Sequence, residues 1–169
     1  PRLSTSFPAS IINVNGSLFF SARATVSTGY ELWKSDGTSS GTVLVRDILS
    51  GPSSAAPGKW ATARVALVGG RIIKKTGYEL WKSDGTEAGT VLVRDINSGG
   101  SGSSPINLTN VNGTLFFTTG FGTNSAELWK SDGTAAGTVL VKDIYPGSSG
   151  SSPTNLTNVN GTLFFTAND

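Results

Sequence analysis

Residues 31–38 read ELWKSDGT, and the same octet returns at 79–86 and 127–134, an interval of 48 residues both times. Each copy is followed by a second shared block, GTVLVRDI from Gly41, the same again from Gly89, and GTVLVKDI from Gly137. A third block, NVNGTLFF, starts at Asn110 and at Asn158, with a close variant, NVNGSLFF, at Asn13. Self-similarity at a fixed period of this length marks a repeat architecture, in which a unit buries its apolar surface against its neighbours. The 169 residues form a single array, with units at about 8–55, 56–104 and 105–152 and the opening of a fourth at 153–169.

Punctuation within a unit predicts its local structure. Residues 108–111 form a short strand, and Asn112-Gly113 is the pair a type I′ hairpin turn prefers, because both central residues need positive φ. Residues 114–118 return from that turn, 126–130 make a third strand, SDGTAAGT turns, and 139–144 make a fourth. Residues 145–153, rich in Gly, Ser and Pro, link to the next unit. Leu115, Phe116 and Phe117, like Val139, Leu140 and Val141, run continuously rather than alternate, so both faces of those strands require cover. Four short antiparallel strands per unit, sandwiched between neighbours, predict an all-β chain of β-propeller blades. A linear β-solenoid is the alternative, although its coils are shorter and lack paired hairpins.

The succession ELWKSDGT, GTVLV, DI, a Pro-Gly or Ser-Gly link and VNGTLFF resembles the bacterial repeat family named for its ELWxxDGT motif. The resemblance covers nearly the whole chain except about residues 52–75. It implies secreted or surface-attached proteins whose tandem blades form a β-propeller. It implies no well-established enzymatic activity, and so no catalytic residues to carry over.

Composition narrows the chemistry. There is no Cys, His or Met, which removes disulfides, thiol and imidazole catalysis and the common zinc sites. No apolar run approaches the length of a membrane helix, so membrane insertion is not expected. The sequence opens at Pro1 without Met, and the expectation is a processed or excised part of something longer. Thirteen Lys and Arg against eleven Asp and Glu invite a nucleic-acid partner. Yet Lys59, Arg64, Arg71, Lys74 and Lys75 lie in one stretch without an acidic residue, and without them the balance is eight against eleven. The basic character belongs to that stretch and not to the repeat, so no nucleic acid is expected.

Each repeated side chain has a functional and an architectural reading. Trp33, Trp81 and Trp129 would make a stacking platform for sugars if exposed, but one Trp per blade is more economically core between blades. Asp36, Asp84 and Asp132 could each help hold calcium, yet one carboxylate per turn falls short of the several oxygen ligands calcium takes. The favoured reading has Asp capping the turn while Gly37, Gly85 and Gly133 supply positive φ, and no cofactor. Glu31, Glu79 and Glu127 share the Trp side of their strand and are expected at a solvated edge or in a salt bridge to a strand Lys. Five sequons, at Asn15, Asn107, Asn112, Asn155 and Asn160, include the three Asn-Gly turns, which explain those Asn without glycans. Candidate acids recur in every unit whereas active sites are usually singular, so no catalytic residue is assigned.

The second unit departs from the pattern. KWATARVALVG, from Lys59 to Gly69, stands where the others carry NLTNVNGTLFF, and the Phe pair is gone. Three readings apply. Trp60, Arg64, Arg71, Lys74 and Lys75 could form a basic, aromatic ligand site; the stretch could reflect compensating frameshifts or misassigned residues; or neutral divergence still pairs ALVGGRII as a hairpin turning at Gly69-Gly70. The last two rank above the first, because losing both Phe removes burial worth several kcal/mol by usual magnitudes, on the order of 2 kcal/mol each. The functional expectation is a non-catalytic structural, adhesive or scaffold module, extracellular or at the cell surface. It would be completed by the remaining blades of a longer chain or by head-to-tail self-association into a ring or filament. The alternative is a carbohydrate-binding propeller recognising surface glycans.

Overall fold

The computed structural model describes residues 7–25, 28–51, 55, 60–63, 66–73, 77–120, 126–147 and 149–169, with the side chains of 60–63 and 66–73 excepted. Among the described residues all the regular structure is β, and no helix is long and apolar enough to cross a membrane. The first sheet is β1 (Ala9–Val14), β2 (Ser17–Ala22), β3 (Glu31–Ser35) and β4 (Val43–Arg46). The second is β5 (Trp60–Ala63), β6 (Ala66–Ile73), β7 (Gly77–Ser83) and β8 (Val91–Arg94). The third is β9 (Ile106–Val111), β10 (Thr114–Thr118), β11 (Leu128–Ser131) and β12 (Val139–Lys142), and a hairpin of β13 (Thr154–Val159) and β14 (Thr162–Thr166) follows. Within each sheet the strands pair antiparallel in chain order.

The Asn-Gly turns form as their residues dictate, with φ of 50° and 84° at Asn112 and Gly113 and closely similar values at Asn15-Gly16 and Asn160-Gly161. β10 has the predicted bounds, but its neighbours differ. β9 begins at Ile106, because a register shift carried by Asn107 at φ 55° lets Ile106 pair with Thr118. β11 begins at Leu128 rather than 126, and β12 stops at Lys142 rather than 144, because Ile144 turns inward to offer its backbone N–H to Glu127.

The second sheet corrects one expectation. Gly69 and Gly70 do not turn. They lie inside β6, where Gly69 pairs with both Trp60 and Trp81 and Gly70 pairs with Leu80. Ala63 pairs with Ala66, as Val111 pairs with Thr114 one repeat later. A turn at the glycines would have displaced the strand from its partner, since a register slip exchanges its two faces. Register therefore outweighs local turn preference here. Arg64, Lys74 and Lys75, with residue 59, lie outside the described residues, as do the side chains of Trp60 and Arg71.

The core lies between sheets. Leu80 and Val93 of the second sheet pack with Leu115, Phe117 and Trp129 of the third, and Leu140 joins from the side. Phe19, Leu32 and Val45 make the corresponding cluster on the first sheet. Each such side chain contributes about 1.5–3 kcal/mol when fully buried. The side chains of each sheet thus divide between a leading face, turned to the unit before, and a trailing face, turned to the unit after. In the third sheet Leu115, Phe117 and Trp129 lead; in the first, Phe19, Leu32 and Val45 trail. First strands also meet in succession, β1 touching β5, β5 touching β9 and β9 touching β13.

Candidate functional site

The repeated octet builds a closed polar network. Ser83 Oγ and Thr90 Oγ1 lie 2.7 Å apart, Ser83 Oγ accepts from Gly85 N–H, and Thr90 Oγ1 donates to the Thr86 carbonyl. Asp84 Oδ1 accepts from the Thr86 hydroxyl at 2.7 Å and the Thr86 N–H at 2.9 Å. The same bonds recur around Asp36 and Asp132. They hold the Asp36 carboxyl below its ordinary range, the Thr38 backbone N–H contributing most, and Asp84 likewise, there chiefly through the Thr86 hydroxyl.

The turn needs glycine twice, for different reasons. Gly37, Gly85 and Gly133 take φ of 93°, 87° and 88°, a region L-residues rarely occupy. At Gly41, Gly89 and Gly137 the constraint is space, since a Cβ there would overlap the Asp carboxylate of its own turn. The Asp caps are therefore internal to the turn. Among the described residues no three acidic side chains gather as metal ligands would.

The glutamates are placed otherwise than expected. Glu31, Glu79 and Glu127 are at most 1% exposed and stand at no solvated edge, and among the described residues no strand lysine pairs with Glu79 or Glu127. Glu79 accepts from the backbone N–H of Ile96, Asn97 and Ser103 and from Ser103 Oγ. Glu127 repeats the pattern with Ile144, Tyr145 and Ser151. In the first sheet Glu31 receives the N–H of Ile48 and Ala55, where Ala replaces the serine. A buried carboxylate is tolerated when donors surround it, and here it fastens the Gly/Ser/Pro link to its sheet. Burial pushes the Glu79 carboxyl above its ordinary value despite these bonds. Burial also acts on Glu127, but there the bonds from Ser151, Ile144 and Tyr145 prevail and the carboxyl lies below.

Ser103 and Ser151, both fully buried, are the residues that sequence reasoning passed over. Their signal was a constant separation of 24 residues from Glu79 and Glu127.

The tryptophans divide by position. Trp81 and Trp129 are each 9% exposed, while Trp33, in the first of the described sheets, is half-buried. The Nε1 atoms of Trp33 and Trp129 are enclosed without a hydrogen-bond partner. Trp81 and Trp129 thus present no open stacking face for a sugar.

Cationic side chains join the sheets. Lys34 Nζ donates to the Gly85 carbonyl at 2.8 Å, and Lys82 Nζ to the Gly133 carbonyl at 2.9 Å. Arg46 donates to the Thr90 carbonyl and Arg94 to the Thr138 carbonyl, at 2.7 and 2.6 Å. The first and second units therefore each grip the SDGT turn of the next. A cleft at the first such joint, about 210 Å³, is lined by Asn15, Phe19, Lys34 and Asp84 among others.

No family model matches the chain, and no curated protein does. Among solved structures, the crystal structure of the computationally designed Ika8 protein is similar, with a TM-score of 0.51 and 14% identity over 95% of this chain. The chain spans 42% of that designed protein. At this identity the likeness concerns the β fold alone.

Proposed function

We propose that the chain is a non-catalytic module of β-propeller blades whose work is structural, as an adhesive or scaffold element at a bacterial cell surface or outside the cell. The observation that carries this reading is the use to which the repeated residues are put. Glu fastens the link, Asp and the two glycines close the turn, Trp packs between sheets, and Lys and Arg grip the next turn. Chemistry repeated with the architecture is spent on the architecture.

The propeller reading is supported by antiparallel sheets in chain order whose first strands touch in succession, as blades set around an axis require. A solenoid would instead extend continuous sheets from coil to coil. The surface location, and membership of the ELWxxDGT family, rest on the resemblance of the repeat. Light scattering with electron microscopy tests the scaffold reading. Rings or filaments built from the chain are expected, and a closed, stable monomer contradicts self-association. The glycan-binding alternative rests on the half-buried Trp33 alone, and binding on a glycan array that Trp33→Ala abolishes would favour it.

A further inference from the structure

The C-terminal hairpin is half of a sheet. Among the described strands, β2, β6 and β10 each pair on both edges, whereas β14 pairs with β13 and has no partner on its other edge. Its seat is already formed. Asn168 N–H donates to the Ser151 carbonyl at 2.8 Å, as Gly120 N–H does to Ser103 one repeat earlier, and Thr109 Oγ1 donates to the Leu156 carbonyl. What lacks cover is the surface a third and fourth strand would bury. Phe165 is 36% exposed where Phe117 is 0%, and Val141 is 42% exposed where Val45 and Val93 are 6%.

The cations repeat the pattern. Lys130 stands at the position of Lys34 and Lys82, and Lys142 at that of Arg46 and Arg94. Both are exposed, and among the described residues no side-chain hydrogen bond or ion pair holds either. The earlier four reach the carbonyls of the following SDGT turn, so these two are set to receive one more.

We infer that this edge and the two lysines are a docking surface for the ELWKSDGT–GTVLV half of a further repeat. Among the described strands none is free to fill it, because β3, β7 and β11 are already paired with β2, β6 and β10. The mode is strand addition to a sheet edge, in which backbone bonds give affinity and side-chain register gives selectivity. The pairing of Phe117 with Trp129 sets that register, with Phe165 opposite the incoming Trp. The inference rests on the propeller reading above and deepens it by naming the partner.

The test titrates the full chain with a synthetic peptide of residues 126–144, AELWKSDGTAAGTVLVKDI, and follows backbone amides by NMR. One peptide per chain is expected, with shifts at 162–166 and at Val141. Phe165→Asp weakens binding tenfold or more, Lys130→Ala with Lys142→Ala weakens it severalfold, and Leu18→Asp on the opposite face leaves it unchanged. A peptide with Pro in place of Trp does not bind. Phe165 and the two lysines are exposed, so these variants keep the fold, and circular dichroism verifies it. No uptake by folded chain, uptake equal to that of a scrambled peptide, or a β14 edge occupied by a second copy overturns the inference. The scaffold reading falls on other data: peptide uptake by a chain that stays a monomer sustains this inference and contradicts self-association.

Discussion

Between the second and third sheets Val93 is 6% exposed and Lys82 is bonded to the Gly133 carbonyl; one repeat on, Val141 is 42% exposed and Lys130 has no such acceptor. The residues around the two positions are nearly the same: VLVRDI in one, VLVKDI in the other. What differs is the neighbour. At the first joint a complete sheet follows, and at the second only a hairpin does. Burial in this molecule is thus a property of the pair of units, as expected for a repeat protein whose stability divides into intrinsic and interface contributions. The two glutamates report the same difference. Glu79, at the fuller joint, is pushed up by burial, while hydrogen bonding prevails at Glu127.

The comparison can be broken most forcefully at the fuller joint. Glu79→Ala strips the acceptor from three backbone N–H groups and one hydroxyl, and at about 1–3 kcal/mol per unsatisfied buried group the loss should reach about 3 kcal/mol or more. Urea unfolding measures it, and a loss under about 1 kcal/mol would mean that the buried carboxylate is not structural. Next in size, Val93→Ala should cost about 1–2 kcal/mol and Val141→Ala less than about 0.5 kcal/mol. Equal losses would show that the two environments are not distinct.

Smaller again, Lys82→Ala should cost about 1 kcal/mol by removing its bond to Gly133, whereas Lys130→Ala in the unliganded chain should leave the unfolding midpoint unmoved. The smallest effect is in pH dependence. Glu79, raised above its ordinary 4.5, contributes stability that is fully present below 4.5 and lost as pH rises through the raised value. Glu127, lowered, contributes stability that is present above 4.5 and lost as pH falls through the lowered value. Glu79→Gln should therefore steepen the loss of stability on acidification, and Glu127→Gln should make it shallower. Identical slopes for the two variants would contradict the assignment.

Much of the fold is legible in the residues because its signals are local. Asn112-Gly113 specifies a turn by itself, and the strand that follows runs over the predicted residues. The octet's Asp and Gly likewise act within their own turn. The burial of the glutamates is not legible locally, because their donors lie 17 to 24 residues downstream, in a stretch that reads as linker. Gly69-Gly70 misled for the converse reason. Its local preference for turning yields to a strand pairing seven positions long with β7. The openness of the trailing face follows from the repeat count, since four hairpins face three ELWKSDGT blocks.

Hydrogen exchange of the full chain tests most directly whether burial belongs to the joint between units. Residues 79–94 and 127–142 carry nearly the same sequence, so their intrinsic exchange rates are close and protection isolates the effect of the neighbouring sheet. The first segment should exchange more slowly than the second, and saturation with the 126–144 peptide should slow the second toward the first. Equal protection in the free chain, or a second segment untouched by bound peptide, would contradict the account.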